Sequence, residues 1–487
     1  MTRPTKLAIT LSILAVVLRF VLIDQPYIDR WSWRQSDVAA IARNFANNGF
    51  RFAYPQIDWA GSAPGYVGTE FPILPFLAAT CYKFAGAHEW IGRSQAVIFF
   101  AFSLPFFFLL VREIFGSTAA VWATFFYSFA PLNIFAGRSF MPDVPSLSLS
   151  ISGLYFFLRW IDNSKLALFL LAAIATSVAL LIKLPTAVIG APVLFLVWRK
   201  WRWNFLKRRA LWLFVAIALL PSVAWYWHAH FIAERFYPHH LFGEGGLRIE
   251  SFSWYWHIAR QTATSSFTPI LSIMALIGLL AAARSKYSGL FYWWLAGMLL
   301  FIVVIGYGNR HRWYQLPLVP IAAAFAGAAC ASIASKISSL RSAVITLSIL
   351  LAGSFAVLAY FNVRPLYESS AAQLRDAGLK LKKITARDAL IVAADTGDPT
   401  MFYYAERKGW HFLEEDGIYD GNPSDSQQAI VDLERLRHSG ATHLVFTTNT
   451  FWWLDYYPEF ARHLGDTAML MEATPRFKIY KLTSAVK

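Results

Sequence analysis

Arg199-Lys200-Trp201-Arg202-Trp203-Asn204-Phe205-Leu206-Lys207-Arg208-Arg209 carries six positive charges and no acid, between apolar runs at 186–198 and 210–227. The positive-inside rule keeps a loop this basic in the cytoplasm. Toward the C-terminus, further apolar runs fall at 267–283, 288–305, 313–331 and 342–360. Their alternation puts Arg284, Lys286, Lys336 and Arg341 inside, and leaves 228–266 and everything beyond 360 outside. Toward the N-terminus the runs are 166–182, 144–160, 117–137, 94–111 and 7–23. Arg159, Lys165 and Arg112 then flank cytoplasmic turns, so eleven spans thread with the basic loops on one side. The first, Leu7 to Ile23, ends in Asp24-Gln25-Pro26 with no small-residue cleavage site, and is read as an anchor. Phe71 to Gly86 fits less well. It has only 16 residues and contains Pro72, Pro75 and Lys83, which favours a re-entrant segment over a full crossing.

Composition agrees with a lipid environment: 57% of the 487 residues are hydrophobic and 15% charged, where a soluble domain carries about 25% charged. The net charge of +15 is uneven. From Phe361 onward there are 15 basic and 17 acidic residues, and before it 29 basic and 12 acidic. The surplus lies between hydrophobic spans and not on one solvated face, which argues against nucleic acid. Cys81 and Cys330 sit inside apolar segments and read as small buried hydrophobes. The expected architecture is therefore an all-α polytopic membrane protein, with about eleven transmembrane helices and a re-entrant segment. Residues 1–360 form the membrane domain, 24–70 its first periplasmic loop, and 361–487 a soluble α/β domain in the periplasm. That last domain alternates helix (374–384, 429–437) with strand (389–393, 442–446, 477–482), and holds neither a Gly-rich nucleotide loop nor a nucleophile motif.

The outer loops carry the chemistry-bearing residues. In the first, Val38, Ile41, Ala42 and Phe45 recur at helical spacing with Arg34, Asp37 and Arg43 off that stripe. Ser36 is placed to cap this helix, and Trp31 and Trp33 suit a helix lying in the membrane interface. Downstream, Tyr54, Trp59 and Tyr66 are able to stack on a sugar ring or to anchor at the interface; Asp58, Glu70 and His311 join them as candidates for sugar or acceptor binding. Asp143, between Pro142 and Val144-Pro145 at the mouth of a span, is costly at that depth unless it faces a polar cavity or partner, and Arg138 is the nearest partner in sequence. Arg310-His311-Arg312 sits on the outer face, where positive-inside sorting does not account for it. With Arg93 and Arg138 it suggests a phosphate held at the outer surface. His239-His240 lacks two further ligands at metal-site spacing.

Ala40 to Phe45, Glu70-Phe71-Pro72, Arg138 to Asp143 and Arg312-Trp313-Tyr314-Gln315-Leu316-Pro317, in that order across residues 7–330, resemble membrane glycosyltransferases of the GT-C superfamily. Within it the chain is similar to the lipid A aminoarabinose transferases and protein O-mannosyltransferase-like enzymes. The resemblance implies an inverting transfer from a polyprenyl-phosphate-linked sugar to a lipid, glycan or protein acceptor, at the outer face of the bacterial inner membrane. It implies a first-loop acid as base, here Asp37 with Asp29 in reserve, and Asp143 as the second acid. Two positions depart from it: Arg34-Gln35 replaces an Asp-Glu pair, and Phe71-Pro72-Ile73 replaces Lys-Pro-Pro. Arg93, Arg138, Arg310 and Arg312 are then the candidates for the donor phosphate. No cofactor is implied, and a divalent metal is not favoured. Two rival readings are a transporter or flippase of lipid-linked substrates, and an O-antigen ligase or polymerase. The first expects related halves and charges at the bilayer midplane; the second expects its catalytic residues in one large late loop.

Overall fold

The computed structural model describes residues 2–236, 249–282, 285–337, 339–415 and 418–483. Arg284 and His239-His240 lie outside the described residues. The chain divides into two compact units: Met1–Ile23, Arg93–Tyr226 and Glu244–Leu366 in one, Asp24–Gly92, Trp227–Gly243 and Tyr367–Lys487 in the other. The first outer loop thus belongs with the C-terminal domain, a partition that division at 360/361 does not make.

The first unit is helical. Every one of the eleven apolar runs contains helix, and six described helices are long and apolar enough to cross a membrane, or seven if the bent pair Phe252–Phe267 and Pro269–Ala281 is one span. Large apolar side chains lie open on their surfaces: Ile13, Leu166, Leu220, Leu280, Leu300 and Ile349 are each more than half exposed. An apolar belt of this extent requires lipid around it. Inside, small residues permit close packing. Gly327 of Leu318–Lys336 faces the backbone of Ala119 and Ala123 in Ser117–Phe129, and Gly278 faces the backbone of Phe325. Without a hydrophobic drive between helices in lipid, such close approach supplies the van der Waals contact. The expected span 117–137 is broken: Ala130 is extended and Pro131 starts a separate helix, Pro131–Ala136. Asp143–Asn163 and Leu166–Ile182 form an antiparallel hairpin, turned at Ser164 in the left-handed region (φ 54°).

The second unit has a five-stranded sheet of order β2-β1-β5-β7-β6. Its strands are β1 (Leu390–Ala394), β2 (Lys408–His411), β5 (Ala441–Thr447), β6 (Ala468–Ala473) and β7 (Phe477–Leu482), and a small ribbon of β3 (Glu414–Glu415) and β4 (Ile418–Tyr419) lies apart from it. β1 pairs in parallel with β2 and β5; β7 runs antiparallel to β5 and β6. β1 reads LIVAA because both its faces are covered: Val392 and Ala394 enter one core, Ile391 and Ala393 the other.

The first-loop helix, Ser32–Asn48, is largely buried. Thirteen of its 17 residues are buried, including Gln35, Ser36, Asp37, Arg43 and Asn44. One side packs on helix Ile73–Ala85, where Phe76 meets Phe45 edge-on at 5.5 Å. The polar side meets the C-terminal domain: Ser32 Oγ donates to Asp398 Oδ2 at 2.7 Å, Ser36 Oγ lies 3.0 Å from Thr400 Oγ1, and Arg43 donates to the Tyr403 carbonyl. Ser36 is therefore no cap, since the helix begins four residues earlier. Helix Ile73–Ala85, with 13 residues, is about 20 Å long, too short for a crossing of about 30 Å.

Candidate active site

In the second unit, polar residues gather at the start of helix Ser32–Asn48. Arg34 and Asp37 are one turn apart, so the Nη1 of Arg34 lies 3.3 Å from Asp37 Oδ2, while its Nη2 reaches Glu70 Oε1 at 2.5 Å. Two carboxylates share one guanidinium. The other oxygen of Asp37 receives the Trp59 indole N–H at 3.3 Å. Asp37 is thus held on two sides on a rigid helix, with 1% of its surface exposed.

Asp29 has a different task. Fully buried, its Oδ1 accepts from the Trp31 backbone N–H (3.1 Å) and from Gln35 Nε2 (2.7 Å), which fixes the chain entering the helix. Asp58 also serves the scaffold, because it pairs with Arg43 at 2.5 Å and accepts from Asn44 Nδ2 at 2.8 Å. Tyr54 and Tyr66 pack edge-on at 5.3 Å, Tyr54 meets His228 at 5.6 Å, and Phe236 meets Tyr66 at 5.2 Å. These two rings fill an aromatic cluster of the loop itself. Trp59 instead tilts over the imidazole of His411 at 5.0 Å. His411 Nδ1 lies 2.8 Å from Asp395 Oδ1, with both residues buried. Burial pushes the Asp395 carboxyl up from its ordinary value, against the charge and hydrogen bond of His411; burial likewise pushes Asp398 up, against its bonds from Ser32 and Thr400.

In the first unit, Asp143 opens helix Asp143–Asn163, where the dipole favours an anion. Lys183 pairs with it. Helix Leu166–Ile182 stops at Lys183, which is extended (φ −155°, ψ 107°), and Pro185 starts a new helical turn two residues later. The lysine side chain released by that break forms an ion pair with Asp143 and sits 4.7 Å from the centroid of Tyr314. Ser150, Thr186, Trp294, Met298 and Trp313 help enclose a cavity of about 30 Å³ beside the pair. His311 stacks on Trp313 at 4.4 Å with the ring planes nearly parallel, and Arg310 is exposed, 4.5 Å above Tyr307. Arg138 and Arg93 are fully buried and turned to the main chain: they donate to the carbonyls of Leu22 (2.8 Å) and Ile23 (3.2 Å), at the end of the first anchor. Their geometry is that of braces for this turn.

Lys183 and His411 are not among the residues that the sequence singles out. Lys183 carries a signal there all the same. Between spans 166–182 and 186–198 it falls on the outer face, where sorting does not explain a basic residue, as for Arg310 and Arg312. His411 carries none, because its carboxylate partner lies 16 residues away, beyond helix Thr400–Ala405. Among the described residues no three His, Cys, Asp or Glu side chains come together as a metal site would need.

Residues 69–227, about a third of the chain, match the family model for dolichyl-phosphate-mannose-protein mannosyltransferase. The structure is similar to ArnT from Cupriavidus metallidurans bound to undecaprenyl phosphate (15% identity, 98% of each chain, TM-score 0.70) and to its apo state (16%, 99% of each, 0.72). The chain has the GT-C fold. The same fold extends to the oligosaccharyltransferase of Archaeoglobus fulgidus solved with Zn and sulfate, at 12% identity over 95% of this chain and 71% of that one, with a TM-score of 0.67. No curated protein matches the sequence. Family match and fold together indicate a membrane glycosyltransferase that uses a lipid-linked donor.

Proposed function

We propose that this GT-C enzyme moves a sugar from a polyprenyl-phosphate donor to a membrane glycolipid, with inversion, on the outer face of the bacterial inner membrane. The observation that carries the reading is Asp37, a carboxylate fixed on a helix between the Arg34 guanidinium and the Trp59 indole. Asp37 takes the proton of the acceptor hydroxyl as that oxygen bonds to the anomeric carbon, and the bond from that carbon to the phosphate oxygen breaks. The leaving group departs as a phosphate anion, so it needs cations and not a general acid. Lys183, with Arg310 and Arg312 on the same unit, supplies them in this proposal. Support for a polyprenyl carrier comes from ArnT, which binds undecaprenyl phosphate and which this chain resembles along 98% of its length. The outer-face location is supported by the alternation of basic loops. The proposed reaction needs no metal.

Purified full-length protein, incubated with radiolabelled polyprenyl-phosphate sugars and a membrane glycolipid extract, is expected to transfer label to the glycolipid. Asp37→Asn is expected to abolish transfer while retaining donor binding. Label appearing only in free sugar, or no transfer from any donor in the panel, counts against the reading.

A further inference from the structure

Among the described residues, the buried Asp395–His411 pair belongs to neither of the roles assigned above. It lies at the carboxyl ends of adjacent parallel strands: Asp395 follows β1, and His411 ends β2 opposite Ala393. β1 is also where the strand order turns, with β2 on one side and β5 on the other. Open α/β sheets place their functional groups at such a switch point. The turn after β1 aims the carboxylate: Thr396 and Gly397 take φ of 59° and 78°, and the Gly397 N–H donates to Asp395 Oδ1 at 3.0 Å.

What occupies this switch point is a residue of the first loop. The Gly409 N–H donates to the Asp58 carbonyl at 3.0 Å, and the Gly61 N–H to the Gly409 carbonyl at 2.7 Å. Backbone bonds therefore pin the chain on both sides of Trp59. A side chain at Gly409 would run into the backbone of Ile391 in β1, so the pairing of β2 with β1 needs glycine here. The imidazole of His411 is caged by Trp59, by Phe402 at 5.4 Å and by Tyr419 at 6.1 Å. Stability alone gives little reason for such a pair, since apolar residues of the same volume hold a core equally well. It gives the imidazole one orientation, and so gives the indole one.

We propose that the C-terminal domain sets the position of the Asp37 carboxylate through Trp59. Asp395 orients His411, His411 holds the indole plane, and the indole N–H fixes Asp37 Oδ1 from the side opposite Arg34. Trp59, His411 and Asp395 are positioning residues. The inference rests on the reading of Asp37 as the base.

Trp59→Phe keeps the ring and removes the N–H. With the donor panel and glycolipid extract above, its kcat is expected to fall about tenfold, with KM for the donor and the melting profile unchanged. Asp395→Asn is expected to give a smaller kcat loss of about threefold, again without a change in KM. Because Asp395 acts through Trp59, the double variant should be no slower than Trp59→Phe alone. If Asp395→Asn does not fold, His411→Gln keeps a donor for Asp395 while losing the ring under Trp59, and the same kcat loss is expected. Losses that multiply in full, or a Trp59→Phe enzyme with wild-type kcat, overturn the inference. An inactive Asp37→Asn beside a wild-type Trp59→Phe sinks only this inference. An active Asp37→Asn sinks the base reading and this inference with it.

Discussion

Asp37 and Asp143 are both buried carboxylates facing a cation, each in its own unit, and they differ in how that cation is held. Arg34 stands one turn before Asp37 on the same helix and divides its charge with Glu70. Lys183 comes from 40 residues away, released by a broken helix, and pairs with Asp143 beside an apolar, aromatic-walled cavity. Around Asp37 the Arg34 guanidinium is divided between two carboxylates, so it stabilises the charge on each less than it would on one alone. At Asp143 a buried lysine faces the carboxylate directly, and removing that lysine takes a cation from an acid in a low dielectric. Equal burial therefore does not mean an equal role. A shared cation leaves an acid reactive, whereas a private one makes it part of the scaffold until a competing anion arrives.

The sharpest way to break this comparison is to neutralise acids one at a time. Asp37→Asn is expected to slow transfer by about 10²–10⁴-fold, measured at saturating donor, with an unchanged melting profile. Asp29→Asn should instead retain turnover and lose stability, since its carboxylate serves the backbone and Gln35. Inactivity of Asp29→Asn with turnover by Asp37→Asn would exchange their roles.

Lys183→Met should destabilise the first unit by about 3–5 kcal/mol, because it takes a paired cation from a buried carboxylate. Combining it with Asp143→Leu should recover most of that loss, as read from chemical denaturation in detergent. If the double variant is as unstable as the single, the pair is not the closed unit described. Donor binding measured on the double variant then sharpens the proposal for Lys183, since a phosphate that needs the lysine will bind poorly even where stability has returned.

Arg310→Ala should have the smallest effect. The side chain is exposed over Tyr307, so melting should not change. Losing one charge-assisted contact should weaken donor affinity about tenfold or somewhat more. Unchanged affinity in Arg310→Ala, Arg312→Ala and the double variant would leave the loop as an anchor for lipid headgroups.

The spans, their order and the basic loops were legible from sequence because in lipid each helix satisfies its own backbone hydrogen bonds, so length and hydropathy suffice. The short apolar runs of β1 and β5 and the helices 374–384 and 429–437 were legible for a similar local reason. β2 and β6 were not: β2, Lys-Gly-Trp-His, owes its strand state to pairing with β1 and to the first loop against Gly409. The Arg34–Asp37 pair is an i,i+3 contact on one helix, and its neighbours Glu70 and Trp59 stood among the candidates. Their convergence on it was not visible.

By itself the sequence determined a polytopic chain, the order of its apolar helices, and an acid-bearing helix soon after the first of them. Those features follow from hydropathy, charge sorting and helical periodicity, all properties of short segments. Tertiary structure alone decided that this helix is largely buried, in a unit with the C-terminal domain. It alone decided that Asp29 and Asp58 bond to neighbours in the first loop, that Arg93 and Arg138 bond to the main chain at Ile23 and Leu22, and that Lys183 pairs with Asp143. Which cation a buried acid receives is fixed by desolvation and geometry among residues far apart in the chain, and no pattern within one segment records that choice.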